Sequence, residues 1–385
     1  MSMRPITFLQ PNRLTFGAGC LAEAVTYLAA LPSKRIHIVH SFSLASIAEE
    51  MQCNLVTAGC TVTTDRAPAG EPTIAAFNSS LARARATDPN CIVGVGGGSA
   101  LDLAKLLAAF LRNDQRVEDT FGIGLLPSRN CHLVCIPSTS GTGSEVSPNA
   151  ILLDESAQLK KGVISPYLVP DAAFIDPTLT HSVPPAVTAY TGLDALTHLI
   201  EAYTNRFAHP LVDLYALEGI ALCARFLPRA VRSPNDAEAR EGMSRASVYG
   251  GLCLGPVNTA AVHALAYPLG GEFHLPHGLS NAVLLPAVFR FNAEASPERH
   301  ASVAHALGAT PQSTALATAF AGATALEQLT SDCGIDTNLA HHGIDRSTIP
   351  HLAAAAMTVQ RLLRNNPRDI TRADAESIYA ECFAS

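Results

Sequence analysis

The segment CIVGVGGGSALDLAKLLAAFL, residues 91–111, constrains the fold more than any other. An apolar run meets the glycines Gly96, Gly97 and Gly98, and a helical apolar period follows at once. A strand that is apolar on both faces must be covered on both faces, which is the habit of a parallel sheet. The same rhythm fills the first half of the chain. RIHIVHS (35–41) reads as a buried strand and SIAEEMQCNLVTAG as a helix stopped by Gly59. TVTTDRA is a strand, IAAFNSSLARARATDP a helix, and CHLVCIPSTSGTGSE a strand running into a loop. Ahead of these, PITFLQPNRLTFG (5–17) predicts two short strands around Pro11–Asn12, and CLAEAVTYLAAL a helix. This alternation predicts an α/β fold with a mainly parallel sheet and helices on both faces.

Beyond residue 181 the apolar period is helical throughout, with Pro184 and Pro185 opening the first helix. The expected boundary is DPTLTHSVPP. It divides the chain into an α/β domain, 1–181, and an all-helical domain, 182–385.

Bulk properties remove several classes. Net charge is −7 with no Lys/Arg run, which argues against a nucleic-acid partner. No stretch of about 18 apolar residues occurs, which argues against a membrane span. The opening MSMRPITFLQPNRLTFGAGC lacks the apolar core of a signal peptide. The ten cysteines form no CxxC pair and mostly sit in apolar surroundings. Free thiols in a reducing, cytoplasmic setting are the better reading.

The glycine turn is neither GxGxxG nor a P-loop. It does place flexible backbone and a helix start where phosphate can be received. Ser99 is the expected N-cap, with Asp102 completing a capping box. A second polar loop, IPSTSGTGSE (136–145), also follows a strand and carries Ser138, Thr139, Ser140, Thr142 and Ser144. Two such loops at strand carboxyl ends suit a dinucleotide. The bland alternative is a pair of solvated connectors.

The helical half holds a second chemistry. GLDALTHLIEAY sets Asp194 and His198 four apart, on one helix face. AVHALAYPLGGEFHLPHG adds His263, His274 and His277. One carboxylate with up to four imidazoles, and no thiolate, suits a divalent transition metal such as iron or zinc rather than a structural zinc–cysteine site. A lone histidine on an apolar face, such as His263, is more often a satisfied core residue.

Taken in order, GGGSALDLAK, IPSTSGTGSEVSP, LVPDAAFIDPTLT, GLDALTHLIEAY, AVHALAYPLGG and LPHGLSNAVLLP resemble the iron-dependent (group III) alcohol dehydrogenases. The resemblance covers nearly the whole chain. It implies the dehydroquinate synthase-like fold, with a dinucleotide domain, a helical domain and a metal in the cleft between them. It also implies a homodimer. The family's ligand positions fall on Asp194, His198, His263 and His277. Its nicotinamide cofactor (NAD or NADP) contacts fall on Gly97, Gly98, Ser99, Ser138, Thr139, Thr142, Lys160 and Leu179. The implied reaction is hydride exchange between nicotinamide and a small aliphatic alcohol or aldehyde, aided by Fe(II) or Zn(II). Arg206 and His209 admit a diol- or carboxylate-bearing substrate, against the plainer reading of a solvated charge. Maleylacetate reductases look similar but lack the metal-binding aspartate, so Asp194 makes that reading the alternative. A metal-dependent synthase or lyase on the same fold is the other.

The chain departs from the family twice. Ser41 stands where many members place an aspartate for the adenosine ribose, which predicts tolerance of a 2′-phosphate and hence of NADPH. Tyr267 stands where many carry a second histidine four residues after His263. Tyr267 relays a proton or lines the pocket, or His274 substitutes for it.

Overall fold

The computed structural model describes residues 4–157 and 159–383, which group into two compact units. One unit is Phe8–Thr139 with Gly143–Ser182; the other is Met1–Thr7, Ser140–Thr142 and Val183–Ser385.

In the first unit the strands are β1 (Arg13–Phe16), β2 (Arg35–His40), β3 (Thr61–Arg66), β4 (Cys91–Gly96), β5 (Gly122–Ile123), β6 (His132–Pro137), β7 (Asn149–Asp154), β8 (Leu159–Ile164) and β9 (Ala172–Ile175). Its helices are α1 (Cys20–Ala30), α2 (Ala45–Thr57), α3 (Ile74–Thr87) and α4 (Gly98–Phe110). Six strands form one sheet in the order β1-β9-β6-β4-β2-β3, and every pairing in it is parallel. Alternate strand residues serve the two faces, as a period of two requires. Val93, Val95, Val134 and Ile136 pack with Leu28, Met51 and Leu55 of α1 and α2. Ile92, Leu133 and Cys135 pack with Phe77, Leu81, Leu103 and Leu107 of α3 and α4. All ten cysteines are free, and all but Cys53 are buried.

Two local readings change. Only Arg13–Phe16 of the first segment is a strand. It is the edge strand of the sheet, beside β9. The start of that segment, up to Thr7, groups with the helical unit, where Arg4 Nη2 donates to the carbonyls of Phe207 (2.6 Å) and Pro256 (3.0 Å). The segment after IPSTSGTGSE adds a feature with no clear helical or parallel signal. It is the antiparallel β7–β8 pair, which forms a separate small sheet with β5.

The second unit contains α5 (Pro185–Thr204), α6 (Pro210–Arg232), α7 (Ala237–Leu254), α8 (Ala261–Glu272), α9 (His277–Ala293), α10 (Pro297–Ala306), α11 (Ala315–Asp332), α12 (Ile349–Ala356), α13 (Gln360–Leu363) and α14 (Arg372–Glu381). From Gly192 to Thr204, α5 is buried on every side, packed against α6, α7 and α9. A helix in that position exposes no face, so its polar side chains need partners inside the protein. Among the described residues no helix is long and apolar enough to cross a membrane.

Candidate metal and dinucleotide sites

The polar residues of α5 meet their partners on α8 and α9. Asp194 Oδ1 lies 3.7 Å from His198 Nε2, 3.6 Å from His263 Nε2 and 3.6 Å from His277 Nε2. The ligand atoms of Asp194, His263 and His277 all fall within 4.8 Å of one another. Donors about 2.1 Å from a tetrahedral centre sit roughly 3.4 Å apart, so this spacing fits a divalent transition metal. The nitrogen and oxygen donor set fits iron or zinc equally. His198 and His263 stack at 4.8 Å between centroids, which keeps both Nε2 atoms on the same side as the carboxylate. His277 opens α9, and the next residue explains how it comes so close. A Cβ on Gly278 would lie 2.0 Å from the Tyr190 carbonyl oxygen of α5. Only glycine lets the two helices approach this far.

Two residues overlooked in the sequence complete the cluster. Glu201, on α5, accepts from His263 Nδ1 at 2.6 Å. It also accepts from the backbone N–H groups of Ala260 (3.0 Å) and Val262 (2.6 Å), so it caps α8 as well as orienting its histidine. Asn281, one turn into α9, donates from Nδ2 to Asp194 Oδ1 at 2.7 Å. Its Oδ1 is buried without a hydrogen-bond partner, which leaves polar capacity in the cluster that protein atoms do not use. The available signal was spacing. Asp194, His198 and Glu201 stand at i, i+4 and i+7, and His277 and Asn281 at i and i+4.

Electrostatics agree with a cation site. Burial opposes ionisation of Asp194, but His198, His277 and His263 hold its carboxyl far below the usual range. Burial likewise opposes charge on His263, yet Glu201 and Asp194 outweigh it and hold its pKa up at about 9. Burial prevails at His198, whose pKa is lowered. The cluster therefore attracts one positive charge toward Asp194 and Glu201. Glu201→Gln keeps the shape but weakens this hold. Metal affinity is expected to fall about 10- to 100-fold, read by titration against a competing chelator. An unchanged affinity would remove Glu201 from the site.

The other expected residues fall into two groups. At the carboxyl ends of β2, β4 and β6, Ser41 Oγ accepts from Gly97 N–H (3.3 Å), and Ser138 N–H donates to Gly96 O (2.9 Å). Thr139 packs over Gly97, where an added Cβ would meet it at 3.4 Å. Chain connections leave β2 toward β3 on one side and β4 toward β6 on the other, so this is the sheet's topological switch point. The N-cap of α4 is Gly97, not Ser99, and no side chain caps it. Asp102 forms no capping box; it accepts from Ser144 Oγ and from Ile151 N–H (2.9 Å). The first-turn N–H groups, Gly98 and Ser99 among them, thus have no capping side chain.

The remaining residues have other surroundings in the structure. Lys160, on β8, is ion-paired with Glu71 at 2.6 Å. Leu179 packs in the apolar layer shared with α1 and α2, and Thr142 belongs to the helical unit. Tyr267 is buried beside Leu362 and Leu363, as a pocket wall or packing residue would be. His274 is exposed in a left-handed turn after α8 (φ 56°). Arg206 pairs with Asp369 (2.6 Å), and His209 caps α6 by accepting from Leu211 N–H (3.2 Å).

Comparison with known proteins agrees with this geometry. Residues 11–177 match the model of the iron-containing alcohol dehydrogenases, and residues 188–383 match the C-terminal model of the same family. The chain is 38% identical to long-chain-alcohol dehydrogenase 1 of Geobacillus thermodenitrificans (strain NG80-2), covering 100% of this chain and 98% of that one. It superposes on a crystal structure of 1,3-propanediol oxidoreductase with a TM-score of 0.94, at 31% identity over 99% of this chain and 100% of that one. It also superposes on sulfoacetaldehyde reductase from Bifidobacterium kashiwanohense in complex with NAD+, with a TM-score of 0.88, at 28% identity over 99% and 100% of the two chains. With a sheet, a helical unit and an aspartate–histidine cluster of this kind, the chain belongs to the iron-containing alcohol dehydrogenase family and is an oxidoreductase acting on CH–OH donors.

Proposed function

We propose that the protein interconverts a small aliphatic alcohol and its aldehyde with a nicotinamide cofactor. Asp194, His198, His263 and His277 would hold Fe(II), with Zn(II) accepted by the same donors. The observation that carries this reading is the near-equal spacing of Asp194 Oδ1 from three imidazole nitrogens. A bound divalent ion supplies Lewis acidity toward an alcohol or carbonyl oxygen, and nicotinamide exchanges the hydride. The chain's own residues set the conditions. Asp194 stays anionic in a buried site, so ion binding needs no deprotonation there. Glu201 fixes the His263 ring so that Nε2 faces Asp194. Ser41, Ser138 and Thr139 shape the glycine turn, and the uncapped start of α4 receives the dinucleotide phosphates. The relatives are named for long-chain alcohols, 1,3-propanediol and sulfoacetaldehyde, so alcohols, diols and aldehydes are the candidate substrates.

The test is a panel of primary alcohols, 1,3-diols and aldehydes on iron- and zinc-reconstituted protein, following nicotinamide absorbance. Stoichiometric NAD(P)H formation with at least one primary alcohol is the expected result. A metal-loaded protein that reduces no cofactor with any of them would overturn the reading.

A further inference from the structure

The loop after β2 and the end of β3 carry an arrangement that the glycine turn does not explain. β2 and β3 run parallel with His40 opposite Arg66, so Ser41 and Phe42 leave the sheet beside Arg66. The Arg66 guanidinium lies over the Phe42 ring, 5.2 Å from its centroid. That ring is 72% exposed, an unusual position for a phenylalanine. Arg66 is exposed too and forms no ion pair among the described residues. Its neighbour Asp65 is already engaged, accepting from Arg83 at 3.0 and 2.9 Å and from Ser80 Oγ at 2.7 Å. No carboxylate therefore competes for the Arg66 fork. Ser41 leaves none at the end of β2 either, since its hydroxyl accepts from Gly97 N–H.

In a doubly wound sheet the adenosine ribose lies at the end of the second strand. A carboxylate there accepts from the 2′-hydroxyl, whereas a nearby arginine accommodates a 2′-phosphate. We propose that Arg66, held against Phe42 beside Ser41, is a 2′-phosphate subsite, so that this dehydrogenase prefers NADP(H) to NAD(H). The inference rests on the dinucleotide reading of the glycine turn. The guanidinium fork matches phosphate geometry and carries a permanent charge. The stacked ring restricts the fork's orientation and offers the adenine a flat apolar face.

The test uses two cofactor fragments, 5′-ADP and its 2′-phosphorylated form, with the full chain and isothermal calorimetry. The wild type is expected to bind the 2′-phosphorylated fragment about tenfold more tightly or better. Arg66→Gln removes most of that advantage while changing 5′-ADP affinity far less, which also reports that the variant is folded. Ser41→Asp reverses the preference by repelling the phosphate. The ratio of kcat/KM for NADP+ to that for NAD+ moves in parallel. Equal affinity for both fragments in the wild type, or an unchanged ratio in Arg66→Gln, overturns the subsite. If neither fragment binds, the dinucleotide reading falls, and the subsite with it.

Discussion

Asp194→Ala is expected to lower affinity for Fe(II) or Zn(II) on the order of a thousandfold, about 4 kcal/mol, and to abolish turnover with it. Among the described residues, Asp194 is the only anion whose oxygen lies at 3.6–3.7 Å from all three imidazole Nε2 atoms. Burial penalises that charge, so it persists only because three histidines and Asn281 surround it. Without it, a divalent ion would meet neutral imidazoles in a buried site, with Glu201 reaching it only through the far side of His263. Asp194→Asn keeps the volume and separates charge from packing. Competition titration with a chromogenic chelator reads the affinity, and steady-state rates read the turnover. Wild-type metal affinity in both variants would refute the assignment.

Lys105→Met is expected to destabilise the α/β unit by about 3–5 kcal/mol, as removing one partner from a buried charged network does. Lys105 is fully buried on α4, the helix that begins at the glycine turn. Its ammonium donates to the carbonyls of Ser144 (2.9 Å), Ser147 (2.8 Å) and Asn149 (2.5 Å). Three protons thus secure the segment between the second polar loop and β7. Asp102 holds the same segment from the other side, through Ser144 Oγ and Ile151 N–H. Methionine fills most of the volume, so the loss isolates the ammonium. It leaves three buried carbonyls without that donor and Asp102 without its nearby cation. Differential scanning calorimetry should show a lower transition for this unit, and amide exchange should accelerate at residues 144–149. An unchanged melting profile would show that water or repacking replaces the lysine.

The alternation of apolar strands and helices specified a parallel sheet because only that layering covers strands apolar on both faces. The i, i+4 spacing placed Asp194 and His198 on one face because helix periodicity is local. Local rules fail where a residue's partner is distant in sequence. Ser99 followed a strand and preceded a helix, which matched an N-cap pattern, but the N-cap lies two residues earlier, at Gly97. Asp102 matched a capping box, yet a loop some 40 residues on claims it. The partners of Arg206 and His209, Asp369 and the start of α6, likewise come from tertiary packing and a helix start.

The layer architecture, the glycine turn and the shared helix face of Asp194 and His198 were legible in the chain, because each follows from periodicity and spacing within one element, whereas His263 and His277 joined that pair through the family resemblance. Only the tertiary structure decided how those elements meet. Gly278 admits α9 against the Tyr190 carbonyl, and Glu201 reaches from α5 to cap α8 and orient His263. It also set Arg66 over Phe42, residues 24 apart that share a corner only because β2 and β3 lie side by side. Spacing along one helix or strand is written in neighbouring residues. Contact between elements depends on close packing of the whole unit, and that is a property no single segment carries.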